Sequence, residues 1–252
     1  MPDLPTLGRA LVSSPAFQAR EDLVVPAPGL LDLPERVVQF GTGAFLRGFV
    51  DCFVDQANRD GLFGGRVVMV GSTGSGRDQV LNRQDGLYTL SSQGIAGGAP
   101  RREHRVIASV SRALSARDEW AEVLACARNP ELELVFSNTT EVGITLDEGD
   151  SAELSPPRSF PGKLTRFLFE RARAFDYDPA RGVVVLPCEL IEDNGDRLKE
   201  IVLTLAERWG LGDDFARWVR EAVPFCNTLV DRIVPGTPAP EVREQLFAEL
   251  GY

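Results

Sequence analysis

The stretch VVQFGTGAFLRGFVD, residues 37–51, decides how this chain is read. A short apolar run of strand length meets two glycines one residue apart, Gly41 and Gly43. The chain then continues with Phe45, Phe49, Val50, Phe53, Val54 and Ala57 at helical spacings. Glycines between a strand and a helix permit a tight turn and let the backbone approach a pyrophosphate, whose charge the free N–H groups of the first helical turn stabilise. The pattern departs from G-x-G-x-x-G, because the third position is Leu46 and the next glycine is Gly48. On these residues alone, a dinucleotide turn and an ordinary tight turn are equally open readings.

Working outward, the apolar runs RVVQF (36–40), RVVMVG (66–71), RVIASV (105–110), ELELVF (131–136) and GVVVLP (182–187) alternate with stretches of helical periodicity. That alternation predicts an α/β fold, a doubly wound and mostly parallel sheet covered on both faces. Within it, DQVLNRQDGLYTLSSQG reads as a brief helix giving way to a strand or hairpin around residues 87–91, and IAGGAPRREH as a loose segment. Ser115 reads as the cap of the next helix, and Gly210 as the close of GDRLKEIVLTLAERWG. Open sheets of this kind hold ligands beyond the carboxyl ends of their strands, which singles out the loops after Phe40, Gly71 and Phe136.

The second of these loops, GSTGSGRD, places Ser72 and Thr73 where a ribose-binding acid commonly stands. Arg77 could accept a 2′-phosphate, Asp78 could be the ribose acid, or the loop could be a solvated turn; NAD and NADP both stay open. The third loop, FSNTTEVG, offers Asn138, Thr139 and Thr140, small polar side chains able to bond a ribose or a carboxamide, or simply their own backbone.

Composition narrows the partners. A net charge of −10 with no basic run opposes binding to nucleic acid. No apolar run approaches the roughly 20 residues that cross a bilayer, and MPDLPTLGRA lacks the pattern of an export signal, so no membrane partner and a cytoplasmic location are expected. Cys52, Cys126, Cys188 and Cys226 are scattered, without metal-ligand spacing, and read as reduced thiols. His104, the single histidine, lies in the polar run PRREHRV and reads as exposed; Lys163 and Lys199, the only lysines, read as surface residues near helix starts.

Five stretches in order, FGTGAFLRGFVD, NRQDGLYTL, VFSNTTEVGI, LPCELIEDNGDRL and FCNTLVDRIVPG, resemble the mannitol dehydrogenase family of polyol-specific long-chain dehydrogenases, most closely its tagaturonate reductase branch. The likeness runs from about residue 34 to residue 252. It implies a Rossmann-like NAD-binding domain over residues 34–236, preceded by an extension (1–33) and followed by the start of a connection (237–252) to a helical second domain that this chain does not include. It further implies NAD-dependent hydride transfer between a keto sugar acid, tagaturonate, and its hydroxy acid, altronate; a fructuronate or mannitol reductase, or an NAD-binding module without catalysis, are the alternatives. The resemblance places Gly41, Thr42, Gly43, Ala44 and Phe45 at the pyrophosphate, and Asn138, Thr139 and Thr140 near the nicotinamide-side ribose; Ser72 and Thr73 stay candidates for the adenosine ribose from their place after the second strand. Arg47, Glu189, Asn194, Asn227, Asp231 and Arg232 become candidates for contacting a small-molecule sugar acid.

Two departures from the family pattern matter. Mannitol-acting relatives carry Cys-Asp-Asn where this chain has Cys188, Glu189 and Leu190, which disfavours mannitol. The family's general base is a lysine of the second domain, and neither lysine here lies in a matching segment. No catalytic residue is therefore assigned, little or no activity is expected of these 252 residues alone, and the face that a second domain would cover is expected to be apolar or self-associating.

Overall fold

In the computed structural model, residues 4–72, 76–139 and 143–252 are described. Five parallel strands form the central sheet: β1 (Glu35–Phe40), β2 (Arg66–Gly71), β5 (Val110–Ser115), β6 (Leu134–Ser137) and β7 (Val184–Pro187). Their order is β5-β2-β1-β6-β7. The chain thus builds outward from β1 on one side, then returns to lay β6 and β7 on the other. Between β1 and β6 the direction of winding reverses, and there the carboxyl ends of neighbouring strands part to leave a crevice.

The strands divide their side chains with a period of two. Val37, Val67, Met69, Val110 and Ala113 point to one face, while Val38, Phe40, Val68, Val70, Leu114 and Val135 point to the other. The first face is covered by α3 (Ala44–Gly48), α4 (Val50–Arg59) and α5 (Arg77–Arg83). The second is covered by α6 (Trp120–Ala127), α7 (Phe160–Ala174), α8 (Asn194–Arg208) and α9 (Asp213–Ala222). Each buried Val, Leu or Phe contributes about 1.5–3 kcal/mol, so burial on both faces explains why these runs become strands despite lacking polar alternation. The expected doubly wound sheet is observed.

Three local expectations are corrected. The segment read as loose is half of a long antiparallel ribbon, β3 (Tyr88–Ala96) and β4 (Ala99–Ile107), turned at Gly97 and Gly98, both with positive φ. RVIASV accordingly splits, its first half ending β4 and its last residue opening β5. Ser115 ends β5 rather than capping α6: its hydroxyl bonds Asp118, and the Glu119 carboxylate accepts its N–H at 2.8 Å. Gly210, at φ 59°, does close the turn after α8, one residue beyond its C-cap.

Residues before the sheet are not loose. Helices α1 (Arg9–Val12) and α2 (Pro15–Gln18) bring Leu7, Val12 and Phe17 into a small apolar cluster with Leu87, Val106 and Leu250. Leu250 belongs to the last helix, α10 (Pro240–Leu250), so both ends of the described chain pack with the ribbon.

Candidate nucleotide site

Phe40 ends β1 deep in the core, and the chain turns through Gly41, Thr42 and Gly43 into α3. The two glycines are there for different reasons. Gly41 has φ 130°, and a Cβ on it would stand 2.8 Å from the Asn138 carbonyl oxygen. Its demand for glycine is internal: it lets the end of β1 touch the end of β6 across the switch in strand order. Gly43 has φ −66° and ψ 161°, open to any residue, and its Cβ would meet nothing within 4 Å. Nothing in the fold requires glycine at 43, so the bare backbone there fits the close approach of a ligand.

Arg47 folds back on this turn. Its guanidinium donates to the Thr42 carbonyl and lies 6.0 Å from the centroid of the Tyr88 ring. Tyr88 Oη in turn donates to the Arg47 carbonyl at 2.7 Å. Arg47, a candidate for substrate, here braces the turn.

The end of β6 is held from β7. Glu189 is only 2% exposed, and its carboxylate accepts from Ser137 Oγ at 3.0 Å and from the Thr139 N–H and Oγ1 at 3.0 and 3.1 Å. Burial raises its pKa, with the Thr139 and Ser137 donors opposing. Asn138 donates its amide to the Cys188 carbonyl at 2.5 Å. Glu189 therefore shapes the loop after β6 from beneath, a correction to its expected place against substrate. Asn194 is corrected likewise. It is fully buried, its two amide hydrogens surrounded by the Pro187, Glu189 and Thr228 carbonyls and its Oδ1 accepting from the Thr228 N–H at 2.9 Å, so the amide is engaged within the protein.

A crevice of about 550 Å³ opens over these strand ends. Its walls include Phe40 and Gly41 of β1, Val70 and Ser72 at the end of β2, Ala116 after β5, and Thr139 after β6. Ala44 and Phe45 begin α3, the half-buried Phe45 stacking on Phe49 at 5.2 Å. Thr73 and Thr140 lie outside the described residues. The far wall comes from residues 143–163, including Lys163, which sequence reading put on the surface. That expectation fails: Lys163 is 8% exposed because the start of α7 leans over the crevice, and its Nζ donates to the Arg158 carbonyl at 2.6 Å. Burial pushes its pKa down, against Asp150. Only tertiary packing puts it there, so the sequence held no signal for it.

Asn227, Asp231 and Arg232 fall on an extended segment beyond α9. Asn227 exchanges hydrogen bonds with Asp196, at 3.0 and 2.8 Å. Asp231 and Arg232 form no ion pair among the described residues. The segment crosses α3, where a Cβ on Gly48 would sit 2.9 Å from Val234, and it leaves Leu229 and Ile233 90% and 91% exposed.

His104 is not exposed as expected. It is 6% exposed, bonded through Nδ1 to Ser91 Oγ at 2.7 Å and through Nε2 to Glu249 of α10 at 3.2 Å, so it ties the ribbon to the last helix. The four cysteines are free, as read, and among the described residues no group of side chains could hold a metal ion. No helix among them is long and apolar enough to cross a membrane.

A parallel sheet with a glycine turn at its winding reversal defines a dinucleotide-binding type of domain. Residues 35–250 match the family described as the mannitol dehydrogenase Rossmann domain, and the chain belongs to that family. It is 47% identical over 219 residues to the altronate oxidoreductase of Bacillus subtilis, covering 87% of this chain and 45% of that protein. The altronate oxidoreductase of Halalkalibacterium halodurans is 46% identical over 222 residues, covering 87% and 43%. Among solved structures, the Pseudomonas fluorescens mannitol 2-dehydrogenase in ternary complex with NAD and D-mannitol superposes with a TM-score of 0.78 at 25% identity, covering 97% of this chain and 50% of that one. A substrate-free D-sorbitol dehydrogenase gives 0.77 at 24% identity, covering 98% and 51%, and shows the shared fold. The chain spans a little under half the length of the curated relatives it matches.

Proposed function

We propose that this chain is the NAD-binding half of an oxidoreductase that transfers a hydride between NAD(H) and a keto sugar acid, interconverting tagaturonate and altronate. The observation that carries the cofactor reading is Gly43, a glycine with ordinary dihedrals and no atom within 4 Å of where its Cβ would stand, two residues beyond Gly41, which lines the crevice where the strand order reverses. The pyrophosphate would rest on Gly41, Thr42, Gly43, Ala44 and Phe45, the adenosine ribose near Ser72 and Thr73, and the nicotinamide ribose near Asn138, Thr139 and Thr140. The nicotinamide would supply the hydride. What these residues do is orient it, with Arg47 and Glu189 fixing the two loops on which it lies.

Likeness to two altronate oxidoreductases at 46–47% identity supports the substrate class. Asn227, Asp231 and Arg232 are the polar groups proposed to meet the sugar acid, an arginine being suited to its carboxylate. Proton transfer is not assigned to these residues, since Lys163 and Lys199 both give their Nζ to main-chain carbonyls. Exposed Leu229 and Ile233 support burial of their segment by a further domain or by self-association, which sedimentation velocity would read as mass above 27.5 kDa. Placement in the cytoplasm accords with a sugar-acid enzyme and is tested by cell fractionation.

Titrating the purified chain with NADH, followed by nicotinamide fluorescence, should give saturable binding that Gly43→Val strongly weakens. No saturable response to NADH or NADPH would overturn the cofactor reading. Joined to a relative's second half, the chain should oxidise NADH with tagaturonate; preference for an uncharged ketose would overturn the substrate.

A further inference from the structure

Beneath the glycine turn lies a carboxyl group that the reading above does not use. Asp51, in the first turn of α4, is completely buried, yet no cation bonds it. Its Oδ2 shares the single proton of the Tyr88 phenol, 3.3 Å away, with the Arg47 carbonyl at 2.7 Å, and its Oδ1 has no partner. Facing it is the Gln39 side chain of β1, also completely buried. Gln39 Nε2 donates to the Gly41 carbonyl at 3.0 Å, and its Oε1 likewise has no partner.

Two unpartnered acceptors on facing buried side chains lack one donor between them. Leaving such groups unsatisfied is expensive, and an ionised carboxylate there more so. Asp55, one helical turn on and buried beside it, is fully partnered by contrast: it accepts the Ala108 N–H at 2.8 Å and the Arg59 guanidinium at 2.6 Å. Asp51 receives neither a main-chain N–H nor a guanidinium.

We propose that Asp51 is held as the neutral acid, its proton shared with the Gln39 amide oxygen, and that it is thereby a positioning residue for the nucleotide turn. With Oε1 so occupied, Gln39 can present only its Nε2 to Gly41. If the proton leaves, the carboxylate draws the Gln39 amide nitrogen to itself, and the Gly41 carbonyl loses its donor. The groups facing Asp51 are Gln39 of β1 and the phenol of Tyr88 on β3, whose hydrogen bonds favour ionisation, Arg47 of α3, which also favours it, and Asp55 of α4, which opposes it. Ser109, before β5, bonds only the Asp51 carbonyl. Burial outweighs these and pushes the carboxyl up to about 7.

The proton can be observed without any nucleotide; its effect on affinity rests on the cofactor reading. Protein carrying ¹³C in its aspartate carboxyls is titrated by NMR, with Asp51→Asn assigning the signal, and NADH is titrated into both proteins at pH 6 and pH 8.5. The Asp51 carbon is expected to report a protonated acid at pH 6. Native affinity should fall roughly fivefold or more by pH 8.5, while Asp51→Asn, whose amide N–H replaces the acid proton, stays level. An ionised Asp51 at pH 6 overturns the proposal, as do parallel pH profiles in the two proteins. A protonated signal in a protein that binds NADH at neither pH overturns the cofactor reading, and the positioning role with it, while the proton assignment stands.

Discussion

Two recesses of nearly equal size among the described residues are built on different principles. The crevice at the strand ends, about 550 Å³, is fixed through backbone: Gly41 against the Asn138 carbonyl, and Gly43 bare above the first turn of α3. The second, about 570 Å³, lies between residues 4–7, the ribbon and α10, and is closed by side-chain ties: Ser91–His104–Glu249, Thr89–Tyr252 at 2.6 Å, and Arg20 on the Leu250 carbonyl at 2.6 Å. Backbone contacts tolerate shifts of tenths of an ångström, and a network of side-chain bonds yields piecemeal. The difference suits the first recess to holding a ligand in one pose and the second to joining the ends of the chain to the ribbon.

The sharpest break of this contrast is at Gly41. Alanine there would carry a φ that L residues rarely adopt and a Cβ 2.8 Å from a carbonyl oxygen that belongs to another strand's end. A loss of about 3 kcal/mol in stability is expected, with NADH binding abolished. Chemical denaturation checks the first and fluorescence titration the second; a variant as stable as the native protein would show that the β1–β6 contact is not what fixes the turn.

Two residues further along, the same turn should respond in the opposite sense. The Cβ of Gly43→Val would have no protein atom within 4 Å, so stability should move by less than about 0.5 kcal/mol. NADH affinity should nevertheless fall by roughly a hundredfold, equivalent to about 2.7 kcal/mol, because the side chain occupies the ligand's side of the backbone. If melting temperature and affinity fell together, the separation between the two glycines drawn here would not hold.

Asp51 beneath the turn gives a pH signature. Its carboxyl is raised in the fold from 3.8 to about 7, so the native state binds the proton more tightly than the unfolded chain does. Its contribution is fully present below pH about 4 and is lost as pH rises through about 7. Between pH 5 and pH 8 the native protein should lose about 2–3 kcal/mol from this group, and Asp51→Asn should not. Denaturation at the two pH values decides it; equal losses in both proteins would assign the pH dependence elsewhere.

The two recesses also differ in how far they could be read from sequence. Buried parallel strands such as RVVQF and RVVMVG are continuous apolar runs, so the sheet, and with it the crevice, was legible. The glycine pair was legible too, but not the division of labour between its members, which depends on Asn138, nearly a hundred residues away. Asn194 and Glu189 looked available for substrate because their hydrogen-bond partners come from other segments, Thr228 in one case and Ser137 and Thr139 in the other. Asp51 did leave a signal. It shares the stripe of Val50, Val54 and Asp55 that α4 turns to the core, and a carboxylate on a buried stripe asks for a partner. At the second recess, PRREHRV looked polar throughout, yet it alternates: Glu103 and Arg105 are more open to solvent, while His104 and Val106 are buried. A period of two within a charged run is itself a strand signal.

That alternation gives the mildest prediction. In His104→Ala, Ser91 and Glu249 lose their shared partner, while Glu249 keeps Arg102 at 3.5 Å and Tyr252 keeps Thr89. Only one of several ties is cut, so the loss should be about 1 kcal/mol, confined to α10. Amide hydrogen exchange across residues 240–250 should quicken, and exchange in β1, β2 and β6 should not change. NADH affinity should remain native, because no bond of His104 reaches the glycine turn. Faster exchange spreading into β1 would mean that the two recesses are mechanically one, and the contrast between a backbone-built site and a side-chain-built seam would fail at its weakest point.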